Sequence, residues 1–400
     1  MKINNSTSQL EFIALMAALM SVTALSIDAL LPALDVIGLH IQTATPADNQ
    51  LLITMIFLGL GIGPLLFGPL SDATGRKPSV YIGFVVFIIA SFICISAESL
   101  EVMIAGRILQ GIGLSAPRTI CIAIIRDLYE GDYMARIISF VTVVFLLIPI
   151  VAPAMGKFIL DAYNWEGIFY VQIVISLAVA AWFWLRQRET LSEANKIPFS
   201  INRILHGFRE TVRYKETVGY TVISGFVVGS FLVYLSASQQ IFENMYNLEE
   251  EFPFIFAGLA IAIGIAIFLN GSLVVRFGMK KMVTIALIGF FLVSLVYLVL
   301  FHNTPHPPVE ILLGFFALQF FCIGFLFGNL RALAMQPVGH IAGIAAAITG
   351  LVSTLMAVPI STLIGRFVEK STLPLFIGFS VCAGISLFIL IYIRKSEVSA

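Results

Sequence analysis

Long apolar runs set apart by short polar breaks make up almost the whole chain. About 20 apolar residues in a row suffice for an α-helix to cross a bilayer. Twelve runs of that kind are bounded by charged residues, Gly and Pro. In the first half they lie at roughly 11–34, 48–71, 79–97, 101–126, 135–160 and 165–185. In the second half they lie at roughly 218–241, 252–274, 281–301, 309–335, 341–367 and 373–393. The longest polar interruption, Arg186–Lys215, divides six runs from six. The expected organisation is a first six-helix bundle over 1–185, a cytoplasmic linker over 186–217 and a second six-helix bundle over 218–400. Within the linker, Ile201, Ile204, Leu205 and Phe208 alternate with Arg203, Arg209, Arg213 and Lys215. That pattern fits a basic amphipathic helix lying on the inner membrane surface; the plainer alternative is a solvated linker.

Composition agrees with this reading. The 400 residues are 59% hydrophobic and only 12% charged, with a mean hydropathy of +0.99, far from the balance of a soluble domain. An all-α polytopic membrane protein is expected, with the lipid bilayer as its solvent. The net charge of zero gives no support to a nucleic-acid partner. It hides a spatial sorting. With the N-terminus inside, 18 of the 23 Lys and Arg fall on inner segments, from Lys2 to Lys395, while Lys157, Arg366 and Lys370 fall outside. A wrong number of spans would scramble that alternation, so both termini are expected to be cytoplasmic. Lys2 and the run after it imitate a signal peptide, but the run is long and holds an acid, so an uncleaved first span is expected. The four cysteines, Cys94, Cys121, Cys322 and Cys382, lie in apolar runs without metal or disulfide spacing and read as small core hydrophobes. His302 and His306 are four apart, but Pro305 lies between them and no third ligand is near, so no metal site is expected. No phosphate loop or nucleophile–base set is present, which disfavours an enzyme, an ATP-driven pump or a resident cofactor.

Asp28 is the one acid placed deep inside a run. It lies 17 residues into the first span, about 26 Å along a helix. Arg107 enters from the opposite side, about 9 Å into the fourth span, and so reaches a similar depth in a ~30 Å core. Each charge alone is very unfavourable in hydrocarbon, and proximity lowers the cost of both. Intramembrane charges usually mark ion paths; the competing reading is a purely structural ion pair. Arg118 follows eleven residues later on the same helix face. It is either a second charge facing a cavity or a side chain snorkelling to the inner surface. Polar residues at mid-span that could face a solute are Tyr234, Gln239 and Gln240 in span seven, Asn270 in span eight, and Gln319 and Asn329 in span ten. With 34 Phe in the chain, a mostly apolar pocket holding a few such groups suits lipophilic or amphipathic solutes. Gly59, Gly61 and Gly63 in span two read as small-residue helix packing.

The halves echo each other. GPLSDATGRKP (Gly68–Pro78) follows span two, and GSLVVRFGMKK (Gly271–Lys281) follows span eight, as in transporters built from two similar halves. The first of these resembles the signature loop of the major facilitator superfamily, and RILQGIG (Arg107–Gly113) resembles its fourth-helix motif. APAMG (Ala152–Gly156), with Pro149 before it, is similar to the fifth-helix motif of the superfamily's proton-coupled exporters. SIDALLPAL (Ser26–Leu34) and WEGIF (Trp165–Phe169) bring the chain nearest the twelve-span bicyclomycin/chloramphenicol-resistance type of drug:proton antiporter. The resemblance implies a major facilitator fold with Asp28 as the protonatable acid and Arg107 as its partner. It also implies an inner gate at Asp72, Gly75, Arg76 and Lys77 that latches the halves, and a helix bend at Pro149, Pro153 and Gly156. Three departures stand out. Ala73 replaces a usual basic residue, Val275 replaces the acid of the second copy, and Met20 stands where some relatives carry a second acid.

The function expected from all this is proton-coupled export of small lipophilic or amphipathic drugs by alternating access. The partners are protons and the drug, and the setting is a monomer in the bacterial inner membrane. A proton-coupled transporter of one endogenous metabolite is the alternative; it would keep Asp28 and Arg107 but confer no broad resistance.

Overall fold

A computed structural model describes residues 8–304, 306–368 and 371–398. Lys2, Pro305 and Lys370 lie outside the described residues. Among the described residues the regular structure is entirely helical. In the first half the helices are α1 (Gln9–Asp28), α2 (Leu34–His40), α3 (Pro46–Asn49), α4 (Leu51–Thr74), α5 (Arg76–Ile95), α6 (Leu100–Leu128), α7 (Gly131–Leu146), α8 (Ile148–Ala162) and α9 (Trp165–Arg186). After α10 (Ile201–Arg213) come α11 (Lys215–Gln239), α12 (Phe252–Phe277), α13 (Met279–Phe301), α14 (Val309–Met335), α15 (Ala342–Gly365) and α16 (Leu373–Val398).

Among the described residues, 11 segments are long and apolar enough to span a membrane. One of them, Val309–Gly365, is 57 residues long, far more than one crossing needs. It is two helices, α14 and α15, joined by a tight turn at Gln336–Ile341 in which Val338 leaves helical geometry. Twelve crossings result, as the hydrophobic pattern requires.

Within that frame three spans are not simple rods. Span one ends as an α-helix at Asp28, and the chain turns through Leu31–Ala33 before α2. Pro32 lies four residues after Asp28 and has no N–H to give its carbonyl, which weakens the helix at that point. Span five is broken at Leu147 between α7 and α8, where Pro149 likewise has no N–H for the carbonyl of Phe145. Span seven runs past 241 through a wide π turn, Gln240–Met245.

Helix starts are set by side-chain caps. Ser8 accepts from the Glu11 N–H at 3.2 Å, Ser99 from Val102 at 3.5 Å and Asn164 from Gly167 at 2.9 Å, each satisfying one of the orphan donors of a helix N-terminus. Two compact units are present. Described residues within Met1–Thr43 and Met55–Ile201 form one, and those within Ala44–Thr54 and Asn202–Ala400 form the other. In the first unit, Gly59 and Gly63 of α4 press against the Ile108–Ser115 stretch of α6 so closely that added methyl groups would strike it. Backbones that meet in this way gain van der Waals contact, which drives helix association where water supplies no hydrophobic force.

Candidate functional site

The break after Asp28 does more than end a helix. In an unbroken helix the Leu30 N–H would donate to the carbonyl of Ser26; here it donates to that of Ile27 at 3.4 Å. The Ser26 carbonyl takes Arg107 instead. Both terminal nitrogens of the guanidinium donate to it, at 3.2 and 3.3 Å. Arg107 Nη1 also donates to Gln110 Oε1 at 2.7 Å. Gln110 Nε2 donates to Ser91 Oγ at 2.8 Å, and that hydroxyl donates to the Phe87 carbonyl at 2.8 Å. A relay of polar groups thus runs from α5 through α6 to the end of α1.

Asp28 is 5% exposed and Arg107 is 0% exposed. Among the described residues the ion pairs within 4 Å do not include one between them. What joins acid and base is the main chain of Ser26, two residues before the carboxyl. Gly156 closes the other side of the break: a methyl group there would stand 1.9 Å from the Ala29 carbonyl oxygen. Pro149 sits in the first turn of α8, and Pro153 is buried within it. Asp28, Arg107 and Gly156 therefore converge on the four residues Ser26–Ala29. One turn before Asp28, Leu25 borders an apolar pocket of about 250 Å³ between α1, α8 and α9 whose lining includes Val22, Met155 and Val179.

The α4–α5 loop gathers a second network at the opposite end of the same unit. Gly75 has φ +112°, a conformation that side-chain-bearing residues rarely adopt. The turn it makes aims Arg76 back along α4. Arg76 donates from Nη1 to Asp72 Oδ1 at 2.5 Å and to Ser71 Oγ at 2.9 Å. Its fork also reaches Asp127 at the end of α6, from Nε at 2.9 Å and from Nη2 at 3.3 Å. Such two-pronged charge-assisted bonds are the strong ones. Glu189, just past α9, accepts the N–H groups of Arg76 at 3.0 Å and Lys77 at 2.9 Å, capping α5 where its dipole favours an anion. Lys77 Nζ donates to the Trp184 carbonyl at 3.3 Å and lies 5.4 Å from that residue's ring centre. The Ile197 N–H donates to the Asp72 carbonyl at 2.9 Å.

Asp127 and Glu189 did not figure in the sequence reading. The only signal for Asp127 was an acid directly after Arg126 at the end of a span, and for Glu189 an acid in a basic linker. The second-half copy keeps the turn, with Gly278 at φ +80°. It lacks the carboxylate, since Val275 stands where Asp72 does in the first copy and is exposed.

The mid-span polar residues of the second unit mostly make hydrogen bonds within that unit. Asn329 Nδ2 donates to Asn270 Oδ1 at 2.7 Å, and Asn270 Nδ2 donates back at 3.4 Å. Gln319 Nε2 donates to Ser294 Oγ at 2.6 Å and to the Phe290 carbonyl at 3.3 Å, inside the α13–α14 seam. Gln239 Nε2 donates to Glu243 Oε2 at 2.7 Å. The Tyr234 ring packs edge-on against Phe320 and Phe316, with centroids 4.5 and 5.2 Å away. In the first unit Arg118 is exposed on α6, outside both networks described above.

Comparison with known proteins places this geometry. A family model described as Major Facilitator Superfamily matches residues 12–359. The chain belongs to that superfamily. It is a multi-pass membrane protein and a secondary transporter, the class that moves small molecules across membranes. An uncharacterized MFS-type transporter of Bacillus subtilis (strain 168), YdgK, is 30% identical over 347 residues, 85% of each chain. A bicyclomycin resistance protein homolog of Haemophilus influenzae is 27% identical over 399 residues, 99% of each chain. Among solved structures, a D-xylose-proton symporter matches with a TM-score of 0.69 at 16% identity over 96% of each chain. That likeness speaks for the major facilitator fold alone.

Proposed function

We propose that this transporter exports small lipophilic or amphipathic drugs in exchange for protons, with Asp28 as the group that carries the proton. One observation bears most of the weight: a buried carboxyl at the point where α1 breaks, two residues from a backbone carbonyl already held by a buried guanidinium. A carboxyl in that setting is costly, so its presence points to a function. The likeness along nearly the full chain to a protein named for bicyclomycin resistance supports a drug as the cargo.

In the cycle, Asp28 takes up a proton while its cavity faces outward and gives it up while the cavity faces inward, where release is coupled to drug binding. Arg107 holds the broken end of α1 in place through Ser26, so movement of the break changes what surrounds the carboxyl. Arg76, Asp72 and Asp127 form the inner latch that yields when the cavity opens inward. The protein resides in the bacterial inner membrane as a monomer with both termini in the cytoplasm. A proton falling through ~100 mV releases about 2.3 kcal/mol, and about 1.4 kcal/mol is worth a factor of ten. One titrating acid therefore sustains roughly a fifty-fold gradient of a neutral drug, enough for useful resistance.

The test is Asp28→Asn in purified protein and in a host stripped of its own exporters. The variant is expected to fold with an unchanged thermal midpoint yet to lose drug efflux driven by a pH gradient, together with resistance. Proton-dependent efflux that survives the substitution would end the assignment. Narrow, saturable transport of one metabolite, without broad resistance, would retain the coupling site but overturn the drug as cargo.

A further inference from the structure

Helix α10 presents a surface that the transport cycle does not use. Gly207 and Thr211 are its buried residues. At Gly207 a methyl group would stand 2.4 Å from Cγ2 of Ile344 in the first turn of α15, so one side of α10 is seated on the second unit. The one acid of the helix, Glu210, is turned to that unit as well. It accepts from the Tyr214 hydroxyl at 3.3 Å and lies 3.8 Å from Nε2 of His340.

The rest of the helix is outward-facing. Ile201, Leu205, Phe208 and Val212 are all exposed, and at 100° per residue they form a single stripe about 60° wide. His206, Arg209 and Arg213 are also exposed and occupy one flank beyond that stripe, while Arg203 lies on the side opposite it. Glu210 Oε2 also lies 4.0 Å from Nη1 of Arg213, and the other charged side chain of the flank, Arg209, is cationic. After one intervening residue, at Lys215, a membrane-crossing segment begins, so the helix is held at the level where the bilayer starts.

We propose that α10 is an anionic-phospholipid site. Its stripe lies among the acyl chains at the membrane boundary, and Arg209 and Arg213 on its flank hold the phosphate headgroups of lipids with net negative charge. A water-exposed stripe of four large apolar side chains would be unfavourable, and a basic flank at a negatively charged leaflet gains attraction from each cation. The inference goes beyond the transport reading and stands whether or not Asp28 carries protons.

The experiment uses the full-length protein with Phe208→benzoylphenylalanine, reconstituted in vesicles of three parts phosphatidylcholine to one part phosphatidylglycerol. After irradiation, mass spectrometry identifies what the residue has captured. Phospholipid adducts are expected, with the ratio of phosphatidylglycerol to phosphatidylcholine about fivefold or more above that of the bilayer. Adding Arg209→Gln and Arg213→Gln should return that ratio to the bulk value while lipid adducts persist. Adducts to a second copy of the chain, the absence of lipid adducts, or a ratio equal to bulk in the otherwise native background would each overturn the proposal. So would enrichment unchanged by loss of the two arginines.

Discussion

Gly156→Ala tests the most exacting contact in the first unit. A methyl group at this position would lie 1.9 Å from the Ala29 carbonyl oxygen and 2.8 Å from its carbon. Both atoms are backbone and cannot swing away as a flexible side chain could. Ordinary contact begins near 3.4 Å, so α8 must retreat from α1 by about 1.5 Å to admit the methyl. Overpacking of this kind costs about 1–3 kcal/mol, a fall of roughly 5- to 150-fold in the folded-to-unfolded ratio. The retreat uncovers the turn beside Asp28. Misplacing a positioned group by about 1 Å costs up to ~100-fold in rate in other settings, so efflux should fall further than stability does. Circular dichroism melting of the purified protein reads the first effect, and drug efflux from proteoliposomes under a pH gradient reads the second. Gly264→Ala in α12 is the control, since a methyl there meets nothing within 4 Å. Should Gly156→Ala melt and transport like that control, the close approach of α8 to the break in α1 is not a feature of the protein.

Further outcomes follow from the other contacts. Asp127→Asn removes the charge from one acceptor of the Arg76 fork, whose side chain is only 9% exposed, and should cost about 1–3 kcal/mol in thermal unfolding. At Glu189, burial favours the neutral acid, but N–H donors from Leu191, Lys77, Arg76 and Thr190 outweigh it and hold the carboxyl below the usual glutamate range. A depressed folded-state value means stability present above the unfolded value and lost as pH falls through the folded one. Protection of residues 75–77 against hydrogen exchange, taken relative to the intrinsic rate at each pH, should therefore fall on acidification below the ordinary glutamate range, and Glu189→Gln should flatten that dependence. In the second unit, Gly365→Ala would put a methyl 2.1 Å from Gln50 Oε1 and displace the bond of 2.7 Å that Gln50 donates to Gln240. The loss should be about 1 kcal/mol, and adding Gln50→Ala should cost nearly nothing more, a coupling that a double-mutant cycle reads directly.

The spans were legible because hydrocarbon imposes one rule on every residue in them: twenty apolar positions in a row, with cations kept to one side. The break in span one was also written in the sequence, at Pro32, but a long apolar run masks a missing N–H. Contacts across the fold were harder to read. Arg76 meets Asp127 from 51 positions away and Glu189 meets the Arg76 N–H from 113, and no local pattern announces either pairing. Besides Gln110, Arg107 meets a backbone carbonyl, a group every residue has, so side-chain identity could give depth for Arg107 but not that acceptor. Gln319 shows the same limit from the other side. Its mid-span position gives depth, but not that its Nε2 donates to Ser294 and Phe290 while its buried Oε1 meets no donor among the described residues.

The two units bury different chemistry. Among the described residues, the charged side chains that are buried are Asp28, Arg76 and Arg107, all in the first unit. The second unit buries hydroxyls and amides, such as Gln239, Gln240, Gln319 and Asn329. The internal repeat sharpens the contrast. Both copies keep the left-handed glycine that starts the following helix, at Gly75 and Gly278, while the carboxylate of the first copy has become Val275 in the second. Backbone geometry has been retained where charge has not. A half that holds ionisable groups can sense a proton, because its hydrogen bonds and local field change when a carboxyl titrates. A half with neutral amides and packed rings can receive an uncharged or amphipathic solute without leaving a buried charge unpaired. Under the proposed exchange, the asymmetry assigns the ion to the first unit, where movement of the α1 break changes what surrounds Asp28.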